Sequence, residues 1–371
     1  MADYQQDDRI VMSLDAGGTN FVFTAMQANR EVVESITLPS NANDLEACLG
    51  TIRKGFTQVR DQAEGDPVAI SFAFPGPSDF PRGIIGDLMN LPGFQGGVPL
   101  GPMLEREFDI PVFINNDGDL FAYGESIAGL LPSVNSLLKE AGNPRRYKVL
   151  FGITLGTGFG GGIVRDNALF LGDNSNDGEI WLLRNKVDPS TGAEETASIR
   201  GVRRAYARNT GTPMEDAPSP KDIYDIALGE QAGDQEAAKV AFRELGEVVG
   251  DALANAITLL DGLIVIGGGL AGAHSLFLPT VIEEMNSTLI TPEGDVYPRL
   301  DIKVHNLEDE QDRKRFLQNT ATKVRIPGTD DFVDYDPEKR TGVGLSKLGT
   351  SRAVAVGAYA YALHALDERG E

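Results

Sequence analysis

A strand that ends in a glycine turn and returns as a second strand occurs twice in this chain, and that repetition constrains the fold more than any other feature. Ser13-Leu14-Asp15-Ala16-Gly17-Gly18-Thr19 in the first copy aligns with Thr154-Leu155-Gly156-Thr157-Gly158-Phe159-Gly160 in the second. Apolar runs at 10–14 and 21–26 flank the first turn; the run at 149–155 precedes the second, and Ile163-Val164 begins its return. Glycine permits dihedrals and close approaches that a Cβ forbids. Two copies of one such device predict two similar α/β domains facing each other.

The length of 371 residues suits two domains at roughly 150 residues each. Other segments fill in the α/β pattern. A third strand is expected over 31–38. Leu45, Leu49, Ile52, Phe56 and Val59 then recur at helical spacing behind a polar start at 40–44. Cys48 lies beside that stripe and reads as a small core residue. A strand at 68–74 stops at Pro75-Gly76-Pro77, and the long irregular stretch after it carries Asp79, Gly83, Asn90, Pro92 and Gly93. Loops of that length in a compact domain tend to be functional. A short strand at 112–114 delivers Asn115-Asn116-Asp117-Gly118-Asp119 to the head of a helix running toward Gly129. Helices follow around 199–208 and 234–260, then a strand at 263–266 into Gly267-Gly268-Gly269. The polar stretch 306–345 reads as a loop-like insertion, and 353–366 as a closing alanine-rich helix.

Charge narrows the partners. Lys+Arg 33 against Asp+Glu 55 gives −22, which opposes docking on nucleic acid or on an anionic membrane surface. The most apolar stretch, 259–273, is glycine-rich, interrupted by Asp261 and shorter than the ~18 to 20 residues of a membrane span. The polar, acidic start at 1–9 resembles neither a signal nor a transit peptide. With one cysteine, the expected location is a reducing cytoplasm. One cysteine and three histidines form no readable zinc cluster.

Glycine turns bring backbone N–H groups close to phosphate oxygens, so three such clusters together point to a nucleotide. Gly156, Gly158, Gly161 and Gly267, Gly269, Gly272 match GxGxxG, but neither copy sits between strand and helix with an acidic residue ~20 positions on. No GxxxxGK[ST] occurs. The combined order of motifs resembles the ROK family of sugar kinases within the actin-like ATPase superfamily. Asp15 to Thr19 resembles the first phosphate motif, 154–158 the second, and 266–271 the adenosine motif. Pro75-Gly76-Pro77, Asn90-Leu91-Pro92-Gly93 and Asn116-Asp117 resemble the sugar-binding segments, and 348–358 the C-terminal helix.

The resemblance implies two actin-like (ribonuclease H-like) domains with a cleft between them: 1–117 plus 353–371, and 118–352. It implies ATP and magnesium as cofactors and a hexose as substrate. Asp117 matches the catalytic base, and Asp15 the carboxylate that orients magnesium through water. Gly17, Gly18 and Thr19, with Thr154, Gly156, Thr157 and Gly158, would line the phosphates, and Gly268 and Gly269 would border adenosine. Asn90, Asn116, Asp117, Glu179 and Glu194 match ligands of the sugar hydroxyls, the choice of Glu194 over Glu195 resting on a count back from Ala197-Ser198. A homodimer is the assembly implied.

Two departures stand out. The family's Gly-Glu-x-Gly-His segment reads Gly178-Glu179-Ile180-Trp181-Leu182, so leucine replaces the histidine that binds zinc and sugar. The cysteine-rich zinc loop is replaced by 190–196, without cysteine. No zinc site is expected, and Trp181 and Leu182 are the expected apolar anchors of that loop. Glucose is the default substrate; mannose, fructose and N-acetylated hexosamines are alternatives. A sugar-responsive regulator is opposed by the charge and by the nine residues that precede Ile10, which leave no room for a helix-turn-helix. A non-catalytic sugar-binding protein and a dehydrogenase are the other rivals.

Overall fold

The first glycine turn joins β1 (Ile10–Ala16) to β2 (Asn20–Gln27) as an antiparallel pair, with Asp15 opposite Val22 and Ala16 opposite Phe21. Strand alternation sends Met12, Leu14, Phe21 and Phe23 to one face and Ser13, Asp15, Val22 and Thr24 to the other. The structure is a computed structural model that describes residues 4, 6–76, 78–88 and 91–370. The chain divides into one unit of Met1–Gly129, Gly162–Gly178 and Lys347–Glu371, and another of Leu130–Gly161 and Glu179–Ser346.

In the first unit, β2 also pairs with β3 (Arg30–Glu31) and β4 (Ile36–Pro39), so the strand expected at 31–38 is interrupted. Helix α1 (Leu45–Gln62) is capped by Asp44, whose carboxylate accepts from Ala47 N at 3.1 Å. Its apolar stripe joins the core with Phe23, Phe56 and Phe72. Cys48 is fully buried there, and burial pushes its thiol up to about 11, which leaves it unreactive at neutral pH. β5 (Pro67–Ala73) lies parallel to β1. The irregular stretch after it contains a short ribbon of β6 (Ser78–Asp79) and β7 (Ile84–Ile85). Helix α2 (Leu100–Phe108), absent from the sequence reading, follows and buries Leu100, Leu104 and Phe108. β8 (Val112–Asn115) extends the sheet parallel to β5 and leads into α3 (Asp117–Ile127).

The C-terminal helix, Thr350–Arg369, packs on α3 at backbone contact. A Cβ at Gly124 would fall 1.9 Å from the Ala353 carbonyl oxygen, and one at Gly357 would fall 2.0 Å from that of Leu120. Fully buried Glu125 accepts from Lys347 N and Leu348 N at 3.2 and 3.0 Å, anchoring the approach to that helix. With this packing, Met1–Gly129 and Lys347–Glu371 fall in one compact unit, which also takes Gly162–Gly178; the bounds that the resemblance implies are 1–117 plus 353–371.

The second unit begins with α4 (Leu130–Glu140) and β9 (Val149–Leu155). The chain passes back to the first unit within the return strand β10 (Phe159–Arg165), which forms a hairpin with β11 (Ala168–Phe170), and re-enters the second at Glu179. Helices α5 (Ile199–Thr210), α6 (Pro220–Leu228) and α7 (Gln235–Leu260) precede β12 (Leu263–Gly267), which runs parallel to β9. Helix α8 (His274–Met285) follows, then an exposed ribbon of β13 (Thr288–Ile290) and β14 (Val296–Pro298). The chain continues through β15 (Lys303–Asn306), α9 (Glu310–Leu317), a second ribbon of β16 (Thr322–Arg325) and β17 (Phe332–Tyr335), and β18 (Arg340–Leu345). β18 lies between β12 and β15, parallel to both. Among the described residues no helix is long and apolar enough to cross a membrane.

The loop-like insertion expected at 306–345 is therefore corrected. Only the β16–β17 ribbon and its flanks are peripheral, and β18 is an interior strand. Its composition conceals this: Arg340 and Thr341 are polar yet buried, while Gly342 and Gly344 are small because Leu307 and Leu130 occupy the space where their Cβ atoms would lie. Arg340 is tolerated inside because it is paired. Its guanidinium donates to the carbonyls of Phe316 and Gln318, to the Thr320 hydroxyl, and to Asp336 at 2.9 Å.

Desolvation alone would raise the Asp336 carboxyl, but donation from Thr320, from the Glu338 N–H and from Arg340 outweighs it and holds the pKa at about 2. The folded-state pKa is depressed from its ordinary 3.8, so the stabilisation is present above pH ~4 and is lost as pH falls through about 2. The shift corresponds to about 2 kcal/mol. The stability gap between the parent and Asp336→Asn should be constant from pH 7 to 5 and close between pH ~4 and ~2, as read by urea titration. A gap that does not change with pH would contradict the ion pair.

Candidate functional site

The first turn is held from behind. Ser40, 2% exposed, donates its hydroxyl to Gly18 O at 2.7 Å and its N–H to Thr19 O at 2.9 Å. Gly17 is required by the turn, since a Cβ there would lie 2.7 Å from Asn20 O, whereas Gly18 faces open space. Asp15, at the end of β1, lines a cavity of about 900 Å³ together with Pro75, Gly76, Asn116 and Asp117. Asn90, a candidate sugar ligand, and Pro77 lie outside the described residues.

The head of α3 separates two roles that the sequence left merged. The helix cap is Asn116, whose side chain accepts from Gly118 N at 2.8 Å. Asp117, the first helical residue, shares that N–H, its Oδ1 accepting from Gly118 N at 2.9 Å. Its side chain is exposed to the cavity, and desolvation by the surrounding protein raises its pKa. The N–H groups of Gly118 and of Asp117 itself oppose that rise, and the charge of Asp15 adds to it. A carboxylate held above its ordinary pKa at the head of a helix is a stronger base than a surface one.

In the second unit Gly156 donates its N–H to Gly158 O at 3.0 Å, leaving open space on its Cβ side, and Thr157 is exposed. Thr154, at the end of β9, approaches Gly160, where a Cβ would be 2.7 Å from its hydroxyl. Gly268 adopts φ 86 and sits where a Cβ would be 2.2 Å from Leu155 O, while Gly269 is open. The candidate adenosine turn thus packs on the strand end that carries the candidate phosphate turn. Glu194 joins the same group, its Oε2 accepting from Phe159 N at 3.0 Å. Glu195 instead is clamped by Arg204 and Arg200 at 2.8 and 2.7 Å, which holds its carboxyl below the ordinary range. Of the two, Glu194 faces the turn. Glu179 accepts from the Trp181 indole N–H, and 180–182 packs against 193–195.

The expected anchoring of this loop by Trp181 and Leu182 is corrected: they are 38% and 57% exposed. Two apolar residues within three positions of a glutamate carry no sequence signal of which way they point. The loop is held by Asn185, 1% exposed, whose side chain bonds to Thr191, Thr196, Val187 and Asp188. Sequence reasoning assigned no such role to Asn185, Ser40 or Glu125, since each has partners, side chain or backbone, that only the folded chain brings close. Among the described residues no group of three or more His, Cys, Asp or Glu side chains could hold a metal, and the loop offers hydroxyls and amides in place of thiolates. Purified protein should carry no stoichiometric zinc, and chelation followed by magnesium should restore full activity. One zinc per chain by elemental analysis, with activity lost on its removal, would refute this.

The ROK family model matches residues 11–311. The crystal structure of a glucokinase from Parabacteroides distasonis is 52% identical, covering 98% of this chain and 99% of that chain, with a TM-score of 0.90. A glucokinase from Halalkalibacterium halodurans is 28% identical over 78% of this chain and 88% of its own length. An N-acetyl-D-glucosamine kinase from Vibrio cholerae is also 28% identical, over 71% and 85%.

Proposed function

This chain belongs to the ROK family, and from that membership we propose that it is an ATP-dependent hexose kinase of the glucokinase type with Asp117 as general base. Its two α/β units are actin-like domains. The observation that carries the assignment of the base is the head of α3. Asn116 is the cap residue, and Asp117, which shares the Gly118 N–H with it, faces the cavity with a raised pKa.

In the proposed reaction the sugar 6-hydroxyl loses its proton to Asp117 as its oxygen attacks the γ-phosphorus. A new O–P bond forms while the bond to the β-phosphate oxygen breaks, releasing ADP. The 17–19 and 154–158 turns would receive the phosphates through backbone N–H groups, and Gly268 and Gly269 would border adenosine. Glu179, Glu194, Asn116 and Asn90 would hold sugar hydroxyls, each of which needs both a donor and an acceptor. Asp15 fits magnesium, because that ion uses one or two carboxylates plus phosphates and waters and Asp15 is an exposed carboxylate on the wall that Asp117 shares. Bound there, magnesium would neutralise charge developing on the phosphates.

The similarity to an N-acetyl-D-glucosamine kinase, at the same identity as to a glucokinase, supports a second reading in which the substrate is an N-acetylated hexosamine; mannose and fructose are further alternatives. Release of ADP in a coupled assay across these sugars decides among them. Glucose is expected to give the highest kcat/KM; a higher value for another sugar reassigns the substrate. No release with any of them would favour a non-catalytic sugar-binding role. The proposed assembly is a homodimer, to be checked by light scattering.

A further inference from the structure

We propose that Asn185 is a positioning residue for sugar binding. Its buried amide closes the 185–196 loop and so fixes Glu194 beside Glu179, an inference that rests on reading these two glutamates as sugar ligands. The amide is saturated. Nδ2 donates to the hydroxyls of Thr191 at 3.2 Å and Thr196 at 2.9 Å, and Oδ1 accepts from Val187 N at 3.0 Å and Asp188 N at 3.4 Å. The Asn185 backbone N–H adds a bond to Thr191 O at 3.0 Å. One side chain thus gathers the start of the segment and the two threonines, 191 and 196, on either side of the 3-10 turn Ala193–Glu195 that carries Glu194.

That turn is also tied to the segment bearing Glu179. Ala193 N donates to Leu183 O at 2.8 Å, Arg184 bridges to Gly192, and Gly192 lies so close that a Cβ would be 2.8 Å from Trp181 O. With Glu194 bonded to Phe159 N, beside the candidate phosphate turn, the brace has a defined output: a carboxylate held at one place relative to Glu179 and to that turn. Neither glutamate is itself bonded to Asn185. Its effect on sugar is therefore transmitted through the loop, as expected of a residue that positions and does not touch substrate.

The test compares Asn185→Ala, Asn185→Asp, Thr196→Val and Glu194→Gln. An aspartate retains both acceptor contacts, and the Thr196 hydroxyl can turn to donate to it, as can that of Thr191 on giving up its bond to Asp188 O, so Asn185→Asp should restore most of what Asn185→Ala loses. Asn185→Ala should raise the KM for the sugar by about 10- to 100-fold, with the KM for ATP and the kcat at saturating sugar within a few-fold of the parent. Thr196→Val, which removes a single arm, should move the same constant less and serves if Asn185→Ala does not fold. Trp181 is the single tryptophan and its indole is bonded to Glu179, so its fluorescence titrates sugar binding directly, without turnover. A purely structural role would lower the melting temperature and the active fraction but leave the sugar constant in place; that result overturns the proposal. If Glu194→Gln raises the sugar KM while Asn185→Ala and Thr196→Val do not, the proposal fails and the reading of Glu194 stands. If Glu194→Gln is also silent, both fail.

Discussion

Asp117→Asn is expected to lower kcat by about 10²- to 10⁴-fold, the range typical of a lost general base, while leaving the fold and most of the sugar affinity intact. The substitution is nearly isosteric, and the helix keeps its cap because Asn116 supplies it. What disappears is the ability to take a proton. The raised carboxyl of the parent adds a pH signature with a definite sign. The base works only when ionised, so kcat/KM should fall as pH drops through the raised pKa, with an acid limb above the ordinary carboxylate range. The burial that weakens the acid and the nearby charge of Asp15 both push the limb that way. Steady-state rates across pH for parent and variant measure both effects. Turnover of Asp117→Asn within a few-fold of the parent would sink the assignment.

Arg340→Ala is expected to destabilise the protein by about 3 to 5 kcal/mol, the usual consequence of removing one partner of a buried ion pair. The side chain is fully buried, and five acceptors depend on it: the carbonyls of Arg315, Phe316 and Gln318, the Thr320 hydroxyl, and Asp336. Removing it leaves Asp336 with Arg145 as its one remaining cationic partner, at 2.8 Å, and leaves the carbonyls beside an interior strand without their donor. Against a typical total stability of about 5 to 15 kcal/mol, the loss should appear as a large drop in the urea midpoint. Because the network lies in the 306–345 region and outside the proposed site, whatever fraction remains folded should retain its KM values. A shift below about 1 kcal/mol would mean that 306–345 is peripheral after all.

The devices legible in sequence were those built from contiguous residues under a strong backbone demand. Asp15 to Asn20 could be read as a strand-to-strand turn because glycines stand between two apolar runs; the observed register places Ala16 opposite Phe21 across that turn. The helix at 45–59 was readable from its periodic stripe and the strand at 149–155 from its short continuous apolar run, buried on both faces. Asn116-Asp117 was readable as the start of a helix. Which of the two caps it was not, because a cap is decided by side-chain rotamers about one helical turn and both residue types serve.

What the sequence by itself determined was the repetition of the turn, the excess of acidic charge, and the order of motifs that identifies the family. Each is a property of chain-local chemistry and survives without knowledge of long-range contacts. Tertiary structure alone decided that Arg340 and Thr341 are interior, since a polar strand becomes a core strand only when carbonyls and carboxylates from 315–336 and Gly262 arrive to satisfy it. It alone joined α3 to the C-terminal helix, a contact between residues more than 200 positions apart that depends on Gly124 and Gly357 having no side chain. It also replaced the expected apolar anchors, Trp181 and Leu182, with one buried amide. Hydrophobicity marks a residue that prefers the interior, but an asparagine is buried only where a folded chain presents all of its hydrogen-bond partners at once.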